Sequence, residues 1–298
     1  MKILLIFTLL LTTNPLYAQI EGLLHPMTFP VMVNPAFAGT TEHARITLSG
    51  MQRWSRFLSA TNDAWIGSHD QHFDQLGGGL GFFASYHRWP FDKHSTVGGM
   101  YNYRISFSDK MAMRIGVKAN YFESTIPDET LSSHLRYLET HESYINWGTG
   151  ILFYKNTFYG GLSVDNLFRP ILRTFSGDNP QPRVFRFQGG YWHKLSSGDK
   201  SWVINPSVLL EKKSTNWKIL TGIQAHKGWF TGGVFLEEGS MEAIYLLTGI
   251  QKGVIRISYH YEFPISNNYV FASHQLALTL LLNQNKTDLG GQMFSRVF

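Results

Sequence analysis

The sequence predicts an all-β protein, a transmembrane antiparallel β-barrel of about 14 strands with an irregular N-terminal leader. Three observations lead there. The first is a two-residue rhythm that returns along most of the chain. Met111, Met113, Ile115, Val117, Ala119 and Tyr121 alternate with Ala112, Arg114, Gly116, Lys118 and Asn120, and Ile255, Ile257, Tyr259, Tyr261 and Phe263 alternate with Arg256, Ser258, His260 and Glu262. Successive side chains on a strand point to opposite faces, so alternation is a β signal. Bulky apolar groups on one face and arginine, lysine, glutamate and glycine on the other suit a lipid-facing exterior and a polar lumen better than a soluble sandwich. The second observation is that short and long links alternate, as periplasmic turns and extracellular loops do. The third is that beyond the N-terminus no segment offers the roughly 20 apolar residues a membrane helix needs, which leaves closed β structure as the way to satisfy every backbone group in lipid.

Taken in order, residues 1–18 read as a secretory signal peptide: Lys2, an apolar run from Ile3 to Leu11, and a polar stretch closing on Ala18 before Gln19. Residues 19–43 form a leader without durable rhythm that contains three prolines, Pro26, Pro30 and Pro35; proline removes a ladder donor, so this piece is expected to pack irregularly against or inside the barrel. The barrel is assigned to 44–283, with strands at 45–54, 61–71, 78–88, 96–107, 111–122, 144–154, 158–166, 183–195, 202–211, 217–226, 229–237, 242–251, 254–263 and 271–283. A tail, 284–298, follows and ends on Phe298, a residue that could equally serve as a C-terminal assembly signal or close a flexible tail. Tight hairpins are expected at Ser108–Lys110, Lys155–Thr157, Ser196–Lys200 and Gln251–Gly253. Longer links are expected at 127–142 and 169–182, the second a mobile loop because it holds prolines with Gly177, Asp178 and Asn179. Trp54, Trp89, Trp202, Trp217 and Trp229 lie at strand ends, where amphipathic rings form an interfacial girdle; the alternative is that some of them fill the interior beside the leader. The glycines of the segment 77–83, GGGLGFF, permit bending or make room for something in the lumen.

Composition excludes several functions. The 298-residue chain has no cysteine, hence no disulfide framework and no lipidated cysteine anchor. Its net charge of +5 is scattered through the alternating segments, not clustered, which argues against a nucleic-acid partner and for lumen lining. Ser258 and His260 share a strand face with Arg256 and Glu262, a conceivable nucleophile and base, but a polar lumen produces such neighbours routinely and no acid is placed to orient the histidine. His69 and His72 with Asp70 and Asp74 resemble a metal cluster, yet odd and even positions of a strand face opposite ways. GGGLG lies within a strand pattern and has no phosphate-loop lysine. The chain is therefore read as non-enzymatic, without catalytic residues, metal or cofactor.

The segment 33–40, VNPAFAGT, followed by MQRW at 51–54, resembles the opening of the PorP/SprF family of type IX secretion outer-membrane proteins of Bacteroidetes, whose members typically carry an Asn-Pro-Ala-aromatic-Ala-Gly element and then an Arg-x-x-Trp-like or Gln-Trp element. GLGFFASY (79–86), GGLSVDNLF (160–168), PSVLLE (206–211) and ASHQLALTL (272–280) are similar to later family stretches, so the resemblance spans nearly the whole mature chain. Departures are Gln275 where the closing strand usually has an acid, MQRW where Gln-Trp is commoner, and the tail. The resemblance implies residence in the outer-membrane lipid, contact with periplasmic components of the type IX machine, and a role in export or surface attachment of a secreted or gliding-adhesin cargo. It marks Asn34, Pro35, Ala36, Phe37, Gly39, Arg53, Trp54 and His274 as motif and candidate docking positions. For the leader element the alternative is that Pro35 and Gly39 simply shape a turn. The rival function is an outer-membrane channel for small molecules.

Overall fold

A computed structural model describes residues 28–41, 43–55, 60–89, 92–108, 110–125, 141–155, 157–174, 177–195, 202–239, 242–265 and 270–284. The expected signal peptide, the leader before Thr28, the tail with Phe298, the expected hairpin at Ser196–Lys200 and most of the long 127–142 link lie outside the described residues.

The strands are β1 (His43–Ser55), β2 (Ala60–Phe73), β3 (Gly78–Trp89), β4 (Asp92–Ser108), β5 (Met111–Thr125), β6 (His141–Lys155), β7 (Phe158–Asp165), β8 (Ile171–Thr174), β9 (Gly177–Pro180), β10 (Val184–Tyr191), β11 (His193–Lys194), β12 (Val203–Lys213), β13 (Asn216–Lys227), β14 (Phe230–Gly239), β15 (Ala243–Lys252), β16 (Ile255–Pro264) and β17 (Val270–Gln284). All but β8 and β9 belong to one antiparallel sheet in which sequence neighbours pair, β10 pairs with β12, and β1 pairs with β17. The sheet thus closes on itself and leaves no edge, the condition lipid imposes. β10 and β11 form one barrel strand: the register opposite β12 is unbroken from Gly190↔Ser207 to His193↔Ile204. The ladder is interrupted opposite Pro206, which has no N–H to give, while on the other side the Trp192 N–H continues the register with β7 by donating to the Thr157 carbonyl at 2.6 Å. The barrel therefore has 14 strands, each overlapping one predicted from the alternation.

Side-chain parity follows the prediction. On β5 the even positions Ala112, Arg114, Gly116, Lys118, Asn120, Phe122 and Ser124 are buried while Ile115, Val117 and Tyr121 are exposed on the outer face. Leu48, Trp65, Phe82, Leu162, Leu246 and Leu276 continue that outer band around the barrel. The outward charges Asp63, Arg88, Lys93, Glu123, Lys155, Lys212, Lys227, Glu238 and Lys252 all stand within the first or last four residues of a strand, so the middle of the band carries no fixed charge among the described residues. No helix of the described residues is long and apolar enough to cross a membrane; the strands do so.

The short connections from β2 to β3, β4 to β5, β6 to β7, β13 to β14 and β15 to β16 join strand ends at one end of the barrel, where the chain also enters β1 and leaves β17; the strand ends joined by the longer connections from β5 to β6 and from β7 to β10 lie at the other. By the usual length rule the turn end faces the periplasm and the loop end the exterior. The link expected to be a mobile loop instead contains the β8–β9 hairpin, paired from Ile171↔Pro180 to Thr174↔Gly177. Four-residue strands are too short to print a two-residue rhythm, so only their turn chemistry was legible.

Candidate functional site

The lumen is where the polar residues converge, and it is occupied by the leader. A short helix, α1 (Pro30–Val33), starts on a proline, which suits a first helical position because the missing N–H has no partner there anyway. A 3₁₀ turn, Pro35–Phe37, follows. Between them the Asn34 carboxamide accepts the Ala36 N–H at 2.9 Å and fixes the turn. Phe29, Val31, Asn34, Ala36, Phe37 and Ala38 are all almost completely buried.

Anchors from the wall reach this segment from most of the circumference. Asn34 Nδ2 donates to the Ile151 and Leu162 carbonyls of β6 and β7 at 3.1 and 3.2 Å. The Asn102 amide of β4 donates to the Ala38 carbonyl at 2.6 Å, Arg114 of β5 to the same oxygen at 3.3 Å, Lys118 to the Met32 carbonyl at 3.0 Å, and the Ser163 hydroxyl of β7 to the Val33 carbonyl at 2.7 Å. On β2, Asp70 accepts the Gly39 N–H at 2.8 Å while its other oxygen accepts from Arg45 Nε at 2.8 Å. Across the lumen Val33 packs into an apolar patch of Leu209, Leu220, Phe235, Ala243, Tyr245 and Leu247 from β12 to β15. Thr28 Oγ1 lies 2.9 Å from His260 Nε2 of β16. One wall thus holds the leader by its backbone and the opposite wall by apolar contact.

Wall glycines make the fit. A Cβ on Gly79 would stand 2.0 Å from the Ala38 oxygen, on Gly116 2.6 Å from the Ala36 nitrogen, and on Gly150 2.1 Å from Asn34 Oδ1. No other residue permits backbone to approach so closely. Within the leader, Gly39 has a left-handed φ of 62° and its Cβ would meet the Gln71 oxygen at 2.6 Å, so both conformation and space demand glycine.

Toward the loop end the lumen is lined by paired charges. Asp165 takes Lys118 at 2.9 Å and Arg186, which also reaches Glu211 at 2.7 Å; Lys218 pairs with Glu237 at 3.0 Å, and Glu237 accepts the Tyr245 hydroxyl at 2.6 Å. Arg53 bonds Glu262, which also accepts from Ser273. These groups are nearly all buried, and partnering is what makes their burial tolerable.

The structure therefore divides the sequence-selected residues. Asn34, Pro35, Ala36, Phe37 and Gly39 come together inside the lumen, covered by their own barrel; Phe37 sits edge-on to Tyr159, which in turn packs on Trp192. Arg53 faces the lumen near the loop end, 3% exposed. Trp54 pairs in register with Thr61 at that end of β1. His274 lies apart, on the outer face, bonded to the Tyr259 hydroxyl and packed against the Tyr261 ring. Among the tryptophans, Trp202 and Trp229 at the turn end and Trp217 at the loop end are exposed as girdle residues, with Lys227 over the Trp202 ring and Lys212 over the Trp217 ring. Trp89 differs: it packs against the buried pair Met51 and Ala64, because it shares parity with the inward Ser85 and His87. His69 and His72 lie on opposite faces of β2, and His260 is engaged by Thr28. Sequence reasoning missed the lumenal roles of Asn102, Arg114 and Ser163; their inward parity was the available signal.

No curated protein matches the chain. Among solved structures it is similar to the Acinetobacter baumannii outer membrane protein Omp33 (6% identity, 80% of this chain and 99% of that chain covered, TM-score 0.50) and to a deltaS2 mutant of the TodX monoaromatic hydrocarbon channel (9% identity, 86% and 94% covered, TM-score 0.53). At such identities the likeness is one of fold: an outer-membrane barrel. The family model described as type IX secretion system membrane protein PorP/SprF matches residues 23–280, from the leader through the closing strand. The chain belongs to the PorP/SprF family of type IX secretion system outer-membrane proteins.

Proposed function

We propose that this barrel works by binding and not by catalysis: its turn end docks periplasmic parts of the type IX secretion machine, and its loop end holds or presents an exported cargo. Membership of the type IX secretion family and an outer-membrane location support this reading. The observation that carries the reading is the filled lumen. A leader bonded to the wall from β2 to β16 leaves no route for a cargo chain through this barrel, so contacts with other proteins fall to the two rims. At the loop end the link between β7 and β10 supports this: Phe168 is 77% exposed, and Ile171, in a hairpin that belongs to no barrel strand, is 51% exposed. Exposed apolar groups on a structured loop are the usual anchors of a protein interface.

The test is affinity purification of the chain from its native outer membrane, paired with an export assay. Loss of surface-displayed type IX cargo on deletion, rescued by the native chain and not by Phe168→Asp with Ile171→Asp, supports the reading. Unchanged export in a deletion strain whose parent expresses the barrel normally contradicts it.

A further inference from the structure

The outer face carries its formal charges unevenly. On the described strands, Asp63, Arg88, Lys93, Glu123, Lys212 and Glu238 stand toward the loop end and are mixed in sign, with Arg88 bonded to Asp63 and His141 within 3.6 Å of Glu123. Toward the turn end they are Lys155, Lys227 and Lys252, all cations. These three share one local design. Each ends its strand and pairs, across a link of two residues, with an exposed apolar residue that begins the next strand: Lys155 with Phe158, Lys227 with Phe230 and Lys252 with Ile255. In the last two the link is Gly-Trp and Gly-Val, and Gly228 and Gly253 take the same left-handed φ, 59° and 58°. The pattern Lys-Gly-apolar-apolar is thus written twice, at 227–230 and 252–255.

The two copies are neighbours. β14 alone separates the strands that end in Lys227 and Lys252. Lys227 pairs with Phe230, Phe230 pairs with Ile250, and Lys252 lies two residues further on. Two strand spacings and two residue rises put the lysine Cα atoms roughly 12 Å apart, near enough for both long stems to converge on one group. The turns are tied together, since the Gln251 N–H donates to the Trp229 carbonyl at 2.7 Å. Trp229 is 66% exposed beside them, and Lys227 Nζ lies 5.2 Å from the centre of the Trp202 ring. Ile223 and Ile250 carry the same outward faces into the apolar band.

We propose that Lys227 and Lys252 form a binding site for an anionic phospholipid of the periplasmic leaflet: the lipid phosphate sits between the two ammonium groups, Trp202 and Trp229 flank the headgroup, and the acyl chains lie along Ile223 and Ile250. Outward parity decides between a lipid and a protein as the occupant. These side chains stand on the skin of the barrel where its apolar band ends, the level at which lysine stems lie on apolar surface with their heads in the headgroup layer and tryptophan rings form a belt. A zwitterionic headgroup brings its own ammonium to a site that already holds two, whereas a headgroup of net negative charge gains from both. The site is separate from docking at the rims, and either stands without the other.

The test is native mass spectrometry of the full-length protein in neutral detergent, titrated in parallel with phosphatidylglycerol and phosphatidylcholine of identical acyl chains. The native chain is expected to retain its first phosphatidylglycerol at about tenfold lower lipid concentration than phosphatidylcholine. Lys227→Gln with Lys252→Gln should bring the two titrations together, and Lys227→Arg with Lys252→Arg should keep them apart. Lys212→Gln, at the loop end, should leave the preference as it is. Excess inorganic phosphate should not displace the lipid, because the apolar contacts hold its chains as well. Equal retention of the two lipids by the native chain, a full preference in the glutamine variant, or displacement by phosphate would each overturn the proposal, provided that heat-shifted electrophoretic mobility shows a folded barrel in every sample. A glutamine variant that keeps its lipid preference but no longer co-purifies with periplasmic proteins would assign the lysines to a protein partner instead.

Discussion

Arg53 on β1 and Glu262 on β16 are bonded to each other over the intervening strand: in the ladder Arg53 pairs with Ser273 of β17, and Ser273 pairs with Glu262. The ion pair therefore spans the seam where the last strand closes on the first, and Ser273 completes it by donating its hydroxyl to the same carboxylate. Both charges are about as buried as the core. Removing one leaves the other unpaired away from water, a loss of about 3–5 kcal/mol. Arg53→Ala should lower the urea stability of the folded barrel by that order, and the double variant Arg53→Ala with Glu262→Ala should cost clearly less than the sum of the two singles. Additive single effects would show that the pair is not coupled.

The slot for the leader rests on absent side chains. Gly150→Val would drive a methyl group into the Asn34 carboxamide and release the turn. In a chain that otherwise lacks cysteine, Ala36→Cys reports this directly. The thiol should resist a water-soluble maleimide in the native background and react readily once Gly150→Val is added. Equal labelling in both backgrounds would mean that the leader is not held there.

Asn34 offers a measure of how firmly it is held. Its carboxamide makes three hydrogen bonds to backbone groups in a buried site. Stranding those groups costs on the order of 1–3 kcal/mol each before relaxation. Asn34→Ala should raise amide exchange rates of residues 35–38 by at least tenfold while the ladder between β5 and β6 keeps its protection. Exchange that accelerates over both together would show that leader and barrel open as one unit.

The outer band is expected to behave as lipid-facing surface with depth. Val117→Arg, in the middle of β5, should destabilise folding into vesicles by about 2–4 kcal/mol, whereas Phe230→Arg, at the turn end of β14, should cost only about 0–1 kcal/mol. Comparable penalties at the two positions would mean that the band is not immersed as described.

Much of this architecture was legible in the sequence because a strand buried between lipid and a polar lumen writes its geometry residue by residue. The alternation located every barrel strand, including the one at 183–195 that Pro206 interrupts in the ladder. Parity also sorted His69 from His72. Where the reading went astray, parity had been set aside for position: Trp89 stands at a strand end like the girdle tryptophans but has the inward parity of His87. The β8–β9 hairpin was invisible, since its glycine, asparagine and prolines mark a turn whether or not short strands flank it. The leader was legible only in outline. Its lack of rhythm suggested packing against or inside the barrel, and the glycines of 77–83 allowed either bending or something seated in the lumen, but the partners of Asn34 lie more than a hundred residues away, and nothing local encodes such a distance.

The central claim is that the bulky face of each strand meets lipid and the polar face meets a lumen filled by the leader. A spin-label scan along residues 111–125, comparing collisions with dissolved oxygen and with a water-soluble nickel chelate in lipid vesicles, tests both halves at once. The account predicts that labels at 113, 115, 117, 119 and 121 collide with oxygen and those at 114, 116, 118 and 120 with neither reagent. Nickel collisions at the first set would contradict the barrel, and nickel collisions throughout the second would contradict its filling.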